Sequence, residues 1–130
     1  GMLFAARLAL EMGIDAEFDY LHATRYHGET KGSGLAWLHR PATIIEGRSV
    51  LLVDDILDEG HTLKAVRDWC EDQGAIKVKI AVMTTKQHDR CVTGLKADYS
   101  GLYVPDRYIF GYGMDINEHG RNLPGIYALS

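Results

Sequence analysis

Cysteine is scarce in this sequence: Cys70 and Cys91 are the only two in 130 residues. They form neither a CxxC pair nor a zinc spacing, which argues against a disulfide framework and against a metal knuckle. Two free thiols in a reducing cytoplasm are expected, with Cys70 packed in the core beside Leu63 and Val66. Long apolar runs are missing too. The longest are strand-sized, so no transmembrane helix is expected. The first residues lack a basic region ahead of an apolar one, so no secretion signal is expected and the predicted location is cytoplasmic. Positive charge is not in excess either. A net charge of −4 argues against nucleic acid as the main partner, although backbone N–H groups can hold phosphate on a negative protein. No internal repeat and no low-complexity segment is found. What remains is an ordinary globular composition, 46% hydrophobic and 25% charged. The length suits one domain, residues 1–130, with a core of its own.

Residues 2–12, MLFAARLALEM, read as a helix stopped by Gly13, either amphipathic or buried. Residues 16–26 are β-rich and partly alternating, which predicts a strand. Residues 27–34, HGETKGSG, are polar and glycine-rich, as in a loop. GLAWLHRP predicts a short strand ended by Pro41. Next, SVLLV (49–53) predicts a buried strand, residues 62–73 a helix capped by Gly74, and IKVKIAVMT (76–84) a second strand. Strand, helix and strand so closely spaced form a βαβ unit, hence a parallel sheet with a right-handed crossover. A polar loop, KQHDR, precedes short strands predicted near Tyr99–Val104 and Arg107–Gly111.

The stretch VLLVDDILDEGHTL, residues 50–63, crowds Asp54, Asp55, Asp58 and Glu59 at the end of a buried strand. A solvated acidic turn ahead of a helix is one reading, since carboxylates stabilise a helix N-terminus. The position counts against it, because open α/β sheets bind ligands there. A calcium loop fails on spacing: counting from Asp54, the third residue is Ile56 and the sixth is Glu59 instead of glycine. A two-component receiver domain also carries an Asp pair after a strand, but near its N-terminus, with most of the domain still to come. A third reading divides the work. Backbone N–H groups from Asp58 to Thr62 and the helix dipole cradle a phosphate. Gly60 allows close approach and Thr62 adds a hydroxyl. Asp54 and Asp55 take sugar hydroxyls or a hydrated Mg²⁺. That ligand is a ribose 5-phosphate.

VLLVDDILDEGHT resembles the phosphoribosyl-pyrophosphate (PRPP) motif of the type I phosphoribosyltransferases. Asp58 at the first loop position is similar to the 6-oxopurine, or hypoxanthine-guanine, branch. The likeness continues through VMTTKQHDR and DYSGLYVPDRYIFGYGMDINEHGRNLPGIY. It implies an α/β fold with a mostly parallel central sheet flanked by helices and a hood-like C-terminal segment. The Leu-Lys-Gly type pyrophosphate loop is not seen ahead of Met2, so the fold is expected to be N-terminally shortened.

The resemblance also assigns roles. Residues 53–63 would be the PRPP loop, with Asp54, Asp55, Asp58, Glu59, Gly60, His61 and Thr62 around the 5-phosphate and ribose. Asp58 would face purine N7 as general base or acid. In the purine segment, 86–121, Lys86 would contact the 6-oxo group and Tyr108 would stack on the ring. Ile109 would pair with the base through its backbone, and Asp115 would lie near position 2. Asp54, Asp55 and Asp115 would stand around Mg²⁺. Arg121 would face pyrophosphate, and Arg25 and Tyr26 would belong to a lid over about 25–36. The implied reaction transfers ribosyl 5-phosphate from PRPP to N9 of hypoxanthine or guanine, giving the nucleoside monophosphate and pyrophosphate. The implied assembly is a homo-oligomer, a dimer or a tetramer. The alternative is a non-catalytic or truncated relative that binds nucleotides as a regulator.

Taken singly, these residues have plainer readings: Lys86 a solvated charge, Tyr108 and Ile109 strand core, Arg121 an ion-pair partner. Their order after a specific loop favours the functional one. Three positions depart from the family pattern. Glu59 replaces Thr or Ser and is expected to point into solvent. His61 replaces Lys, and Arg25 replaces a lid serine. The remaining histidines, His22, His27, His39, His88 and His119, show no metal-ligand spacing and are assigned no role.

Overall fold

A computed structural model describes residues 1–25 and 34–130. Helix α1 spans Met2–Met12 and ends at Gly13, whose φ of 64° closes it with a left-handed residue. Strands β1 (His22–Arg25) and β2 (Leu35–His39) form an antiparallel pair. The centre is β3 (Ser49–Leu57), α2 (His61–Asp72) and β4 (Lys77–Lys86), followed by β5 (Tyr99–Val104). These three strands run parallel in the order β3-β4-β5. Two short strands, β6 (Ile109–Phe110) and β7 (Tyr127–Ala128), close a separate antiparallel pair.

Side-chain alternation on β4 divides the core. Ile80 and Val82 pack with Leu57 and Leu95 and with Leu63 of α2. Met83 packs on the other side with Val104, Ile109 and Met114, and with Phe4 of α1. Ala81 to Thr84 are all buried, as expected of a central parallel strand covered on both faces. Thr84 is completely buried, and its hydroxyl donates to the Asp55 carbonyl at 2.9 Å, so its polar atom is satisfied. Cys70 is buried as expected, and burial pushes its thiol pKa up to about 11. Among the described residues no helix is long and apolar enough to cross a membrane.

Several boundaries differ from the sequence expectation. The strand predicted over 16–26 is formed only at His22–Arg25 among the described residues. Ahead of it, Asp19 accepts the amides of Tyr20 (2.7 Å) and Thr43 (2.8 Å), so a side chain serves the backbone where a ladder was expected. The strand predicted to end at Val53 continues to Leu57, because the paired backbone carries Asp54 and Asp55 along with it. The PRPP loop expected over 53–63 is therefore a strand end, a three-residue turn and a helix start. Most of the predicted lid, Tyr26 included, lies outside the described residues. Leu35 and Ala36 at its far end are strand. Near Arg107–Gly111 only Ile109–Phe110 form strand, since the Arg107 amide turns back to the Pro105 carbonyl at 2.8 Å.

Candidate active site

Strand β3 delivers its carboxylates to the C-terminal end of the sheet, where α2 begins. Gly60 caps that helix at φ 82°, a left-handed conformation that side chains rarely adopt. A Cβ there would come within 2.4 Å of the Leu95 side chain, so glycine is required by both backbone and space. The amides of His61, Thr62 and Leu63 open the helix with no carbonyl one turn earlier to receive them, an arrangement suited to an anion such as phosphate. Glu59 is exposed, as expected of a carboxylate beside a phosphate site.

Asp54 and Asp55 lie side by side at the start of α1. The Asp54 carboxylate accepts the Asp55 amide at 2.8 Å, and Asp55 Oδ2 lies 3.3 Å from the Gly1 amino group. Burial, and then the neighbouring Asp55 charge, push the Asp54 pKa from 3.8 up to about 6. Among the described residues no three His, Cys, Asp or Glu side chains converge on a metal site. Asp115 therefore forms no three-carboxylate cluster with Asp54 and Asp55; its carboxylate lies 3.7 Å from Arg121. The pair alone still suits Mg²⁺, which takes one or two carboxylates and completes its shell with water and substrate phosphate.

The raised Asp54 carboxyl carries a stability prediction. Below the ordinary carboxylate range both folded and unfolded chains are protonated at this group. As pH rises through about 6 the folded chain must ionise it at a cost. Asp54→Asn keeps an oxygen for the Asp55 amide and removes that cost. With a chelator present, it should stabilise the fold at pH 8, by less at pH 5, and by nothing once the pH is well below the ordinary carboxylate range. Thermal melts of the two proteins across this range check the sign.

Asp58 stands just past the strand, held by two cationic or hydrogen-bonding side chains. Lys86 Nζ, at the end of β4, lies 3.0 Å from Oδ2, and His88 Nε2 lies 2.5 Å from Oδ1. Burial pulls the Asp58 pKa upward, but the hydrogen bonds from His88 and Lys86 outweigh it and hold the carboxyl below its ordinary value. His88, which metal-ligand spacing left without a role, is the residue that the sequence reading did not bring to this carboxylate. Its signal was position, two residues beyond Lys86 on the same turn.

The hood gathers the remaining predicted residues. The Tyr108 hydroxyl donates to the Asp115 carbonyl at 2.7 Å, which fixes an otherwise exposed ring. Arg121 donates to the Gly113 carbonyl at 3.0 Å and lies 3.7 Å from Asp115. The Ile109 side chain is buried with Met83 and Met114, so only its backbone is left to meet a ligand. Away from the hood, Arg25 and His61 line a cleft of about 400 Å³ with Lys64 and Trp69.

A parallel-sheet edge bearing an Asp pair, a glycine-capped helix start and a Lys-held third Asp matches a known enzyme class. The chain belongs to the phosphoribosyltransferases: the phosphoribosyl transferase domain model matches residues 1–116. Among curated proteins it is 39% identical to a hypoxanthine-guanine phosphoribosyltransferase of Streptococcus pneumoniae, over 97% of this chain and 70% of that protein. Among solved structures it is similar to a hypoxanthine phosphoribosyltransferase from Staphylococcus aureus. The TM-score is 0.89 at 28% identity, covering 99% of this chain and 70% of that one. A hypoxanthine-guanine phosphoribosyltransferase from Bacillus anthracis aligns with a TM-score of 0.88 at 32% identity, over 99% of this chain and 76% of its own.

Proposed function

We propose that this chain transfers the 5-phosphoribosyl group of PRPP to N9 of hypoxanthine or guanine, a purine-salvage reaction that gives IMP or GMP and pyrophosphate. The observation that carries this reading is Asp58, ionised and bridged by Lys86 and His88 next to the phosphate cradle. The bond from the anomeric carbon to pyrophosphate breaks, the N9 bond forms, and the purine proton passes to Asp58 at N7. Positioning and charge stabilisation do most of the work. The amides that open α2, at His61, Thr62 and Leu63, bind the 5-phosphate, with Gly60 leaving room for it. Lys86 turns from Asp58 to the 6-oxo group, Tyr108 stacks on the ring and the Ile109 backbone meets its edge. Asp115 lies near position 2, and Arg25, Tyr26 and Arg121 attend pyrophosphate. Asp54 and Asp55 would hold Mg²⁺, whose chemistry is to neutralise pyrophosphate charge. A cytoplasmic location accords with soluble phosphorylated substrates.

The test is a spectrophotometric assay with PRPP, Mg²⁺ and one purine at a time. Turnover is expected with hypoxanthine or guanine and not with adenine, whose 6-amino group would oppose the Lys86 ammonium. Tight binding of IMP or GMP without turnover of any base would instead establish the non-catalytic reading.

A further inference from the structure

His88 has no part in the roles assigned above beyond touching Asp58, yet its surroundings fix it unusually well. Its side chain is only 3% exposed, against 42% for Asp58. The backbone N–H of Arg90 donates to its Nδ1 at 2.9 Å. A ring nitrogen that accepts a hydrogen bond carries no proton, so the neutral ring bears its proton on Nε2. That nitrogen faces Oδ1 of Asp58 at 2.5 Å. The segment carrying His88 is itself seated on the same turn. Val92 N–H donates to the Glu59 carbonyl at 2.8 Å, and Leu95 and Cys91 lie against Gly60.

The two oxygens of Asp58 are therefore unequal. Oδ1 is held by a buried ring in one tautomer. Oδ2 is held by the ammonium of a long, flexible lysine that can leave it. We propose that His88 is a positioning residue for the transfer reaction: set as its Nε2–H tautomer by the Arg90 amide, it clamps Oδ1 of Asp58 and leaves Oδ2 as the oxygen that meets purine N7. Because the donor is a neutral imidazole, Asp58 keeps its full negative charge while its plane is fixed. The inference rests on the functional reading above and goes beyond it in naming the residue that aims the base.

Steady-state kinetics of four variants test it. His88→Leu should lower kcat about ten- to a hundredfold, the cost of a misaimed base, with KM for PRPP changed by less than about twofold. His88→Gln can donate from its amide nitrogen to the same oxygen and should recover kcat to within about threefold of the parent. In an Asp58→Asn background, His88→Leu should have almost no further effect, since the group it aims is gone. Unchanged kcat in His88→Leu would overturn the proposal, as would an equal loss in the Asp58→Asn background. If His88→Leu does not fold, the Gln variant decides: a loss of about tenfold or more with the donor retained overturns it. Absence of turnover in the parent chain would strike the functional reading instead. Nitrogen-15 NMR of the His88 ring in the free protein would then decide the clamp: a proton on Nε2 supports it and a proton on Nδ1 overturns it.

Discussion

Asp58→Asn should lower kcat for IMP formation by about 10²–10⁴-fold, the usual contribution of a general base. The substitution is nearly isosteric, so the effect is chemical. An amide cannot take the purine proton. It also presents an N–H₂ group to a site whose two neighbours, Lys86 Nζ at 3.0 Å and His88 Nε2 at 2.5 Å, are both donors. One donor pair must face another, or the Asn must turn away. The site proposed for the 5-phosphate is the start of α2, so KM for PRPP should change little. Initial rates with PRPP varied at saturating hypoxanthine separate the two parameters. Full turnover in this variant would remove Asp58 from the chemistry. The carboxyl also serves the fold through its depressed pKa: that contribution is present above its ordinary value and is lost as pH falls from there through the lower value of the folded chain.

Gly111→Ala should destabilise the fold by about 2–5 kcal/mol, the sum of a left-handed backbone cost and a steric one. Gly111 has φ +92°, and a Cβ on it would sit 2.2 Å from the carbonyl oxygen of Gly125. That oxygen is backbone, so the strand pair β6–β7 must open or shift to make room. Gly111 also exchanges backbone hydrogen bonds with Met114, at 2.8 and 3.1 Å, which set the turn carrying Asp115. Gly94→Ala is the matched control: its φ is +84°, but nothing lies within 4 Å of the added carbon. The control should lose only about 1–2 kcal/mol, the backbone cost alone. Denaturant midpoints of the two variants check the difference. Equal losses would mean that the contact with Gly125 is slack. Because Tyr108 is tied to the Asp115 carbonyl, Gly111→Ala should also raise KM for the purine in whatever fraction stays folded.

The βαβ centre was legible because its two strands are apolar runs and its helix has Leu63, Val66 and Cys70 at helical spacing, although only β4 is buried along its middle and β3 is buried at Leu57 alone. The acidic turn was legible because four carboxylates after such a run demand a ligand. Residues 16–21 misled, since their alternation reports an extended backbone and not its partner. Asp19 satisfies that backbone from its side chain, a choice that periodicity does not encode. The continuation of β3 through Asp54 and Asp55 was hidden for the opposite reason. Carboxylates disfavour a strand by propensity, and pairing with β4 overrides it. The contact of His88 with Asp58 was hidden for a related reason, although its place two residues beyond Lys86 was a hint. Its partner stands thirty positions earlier in the chain and meets it only once β3 and β4 lie side by side.

Arg90, whose amide sets the His88 ring, reaches on with its guanidinium to Asp106, making two hydrogen bonds of 2.8 and 2.9 Å. Both side chains are exposed, and an ion pair in water adds little cohesion. Its consequence is entropic. The fork joins the turn after β4 to the residue two places before Tyr108, so the loop proposed to aim the base and the ring proposed to cover the purine share one restraint. Part of the disorder that substrate would have to remove is already removed in the free chain, and ordering one side of the purine site favours the other.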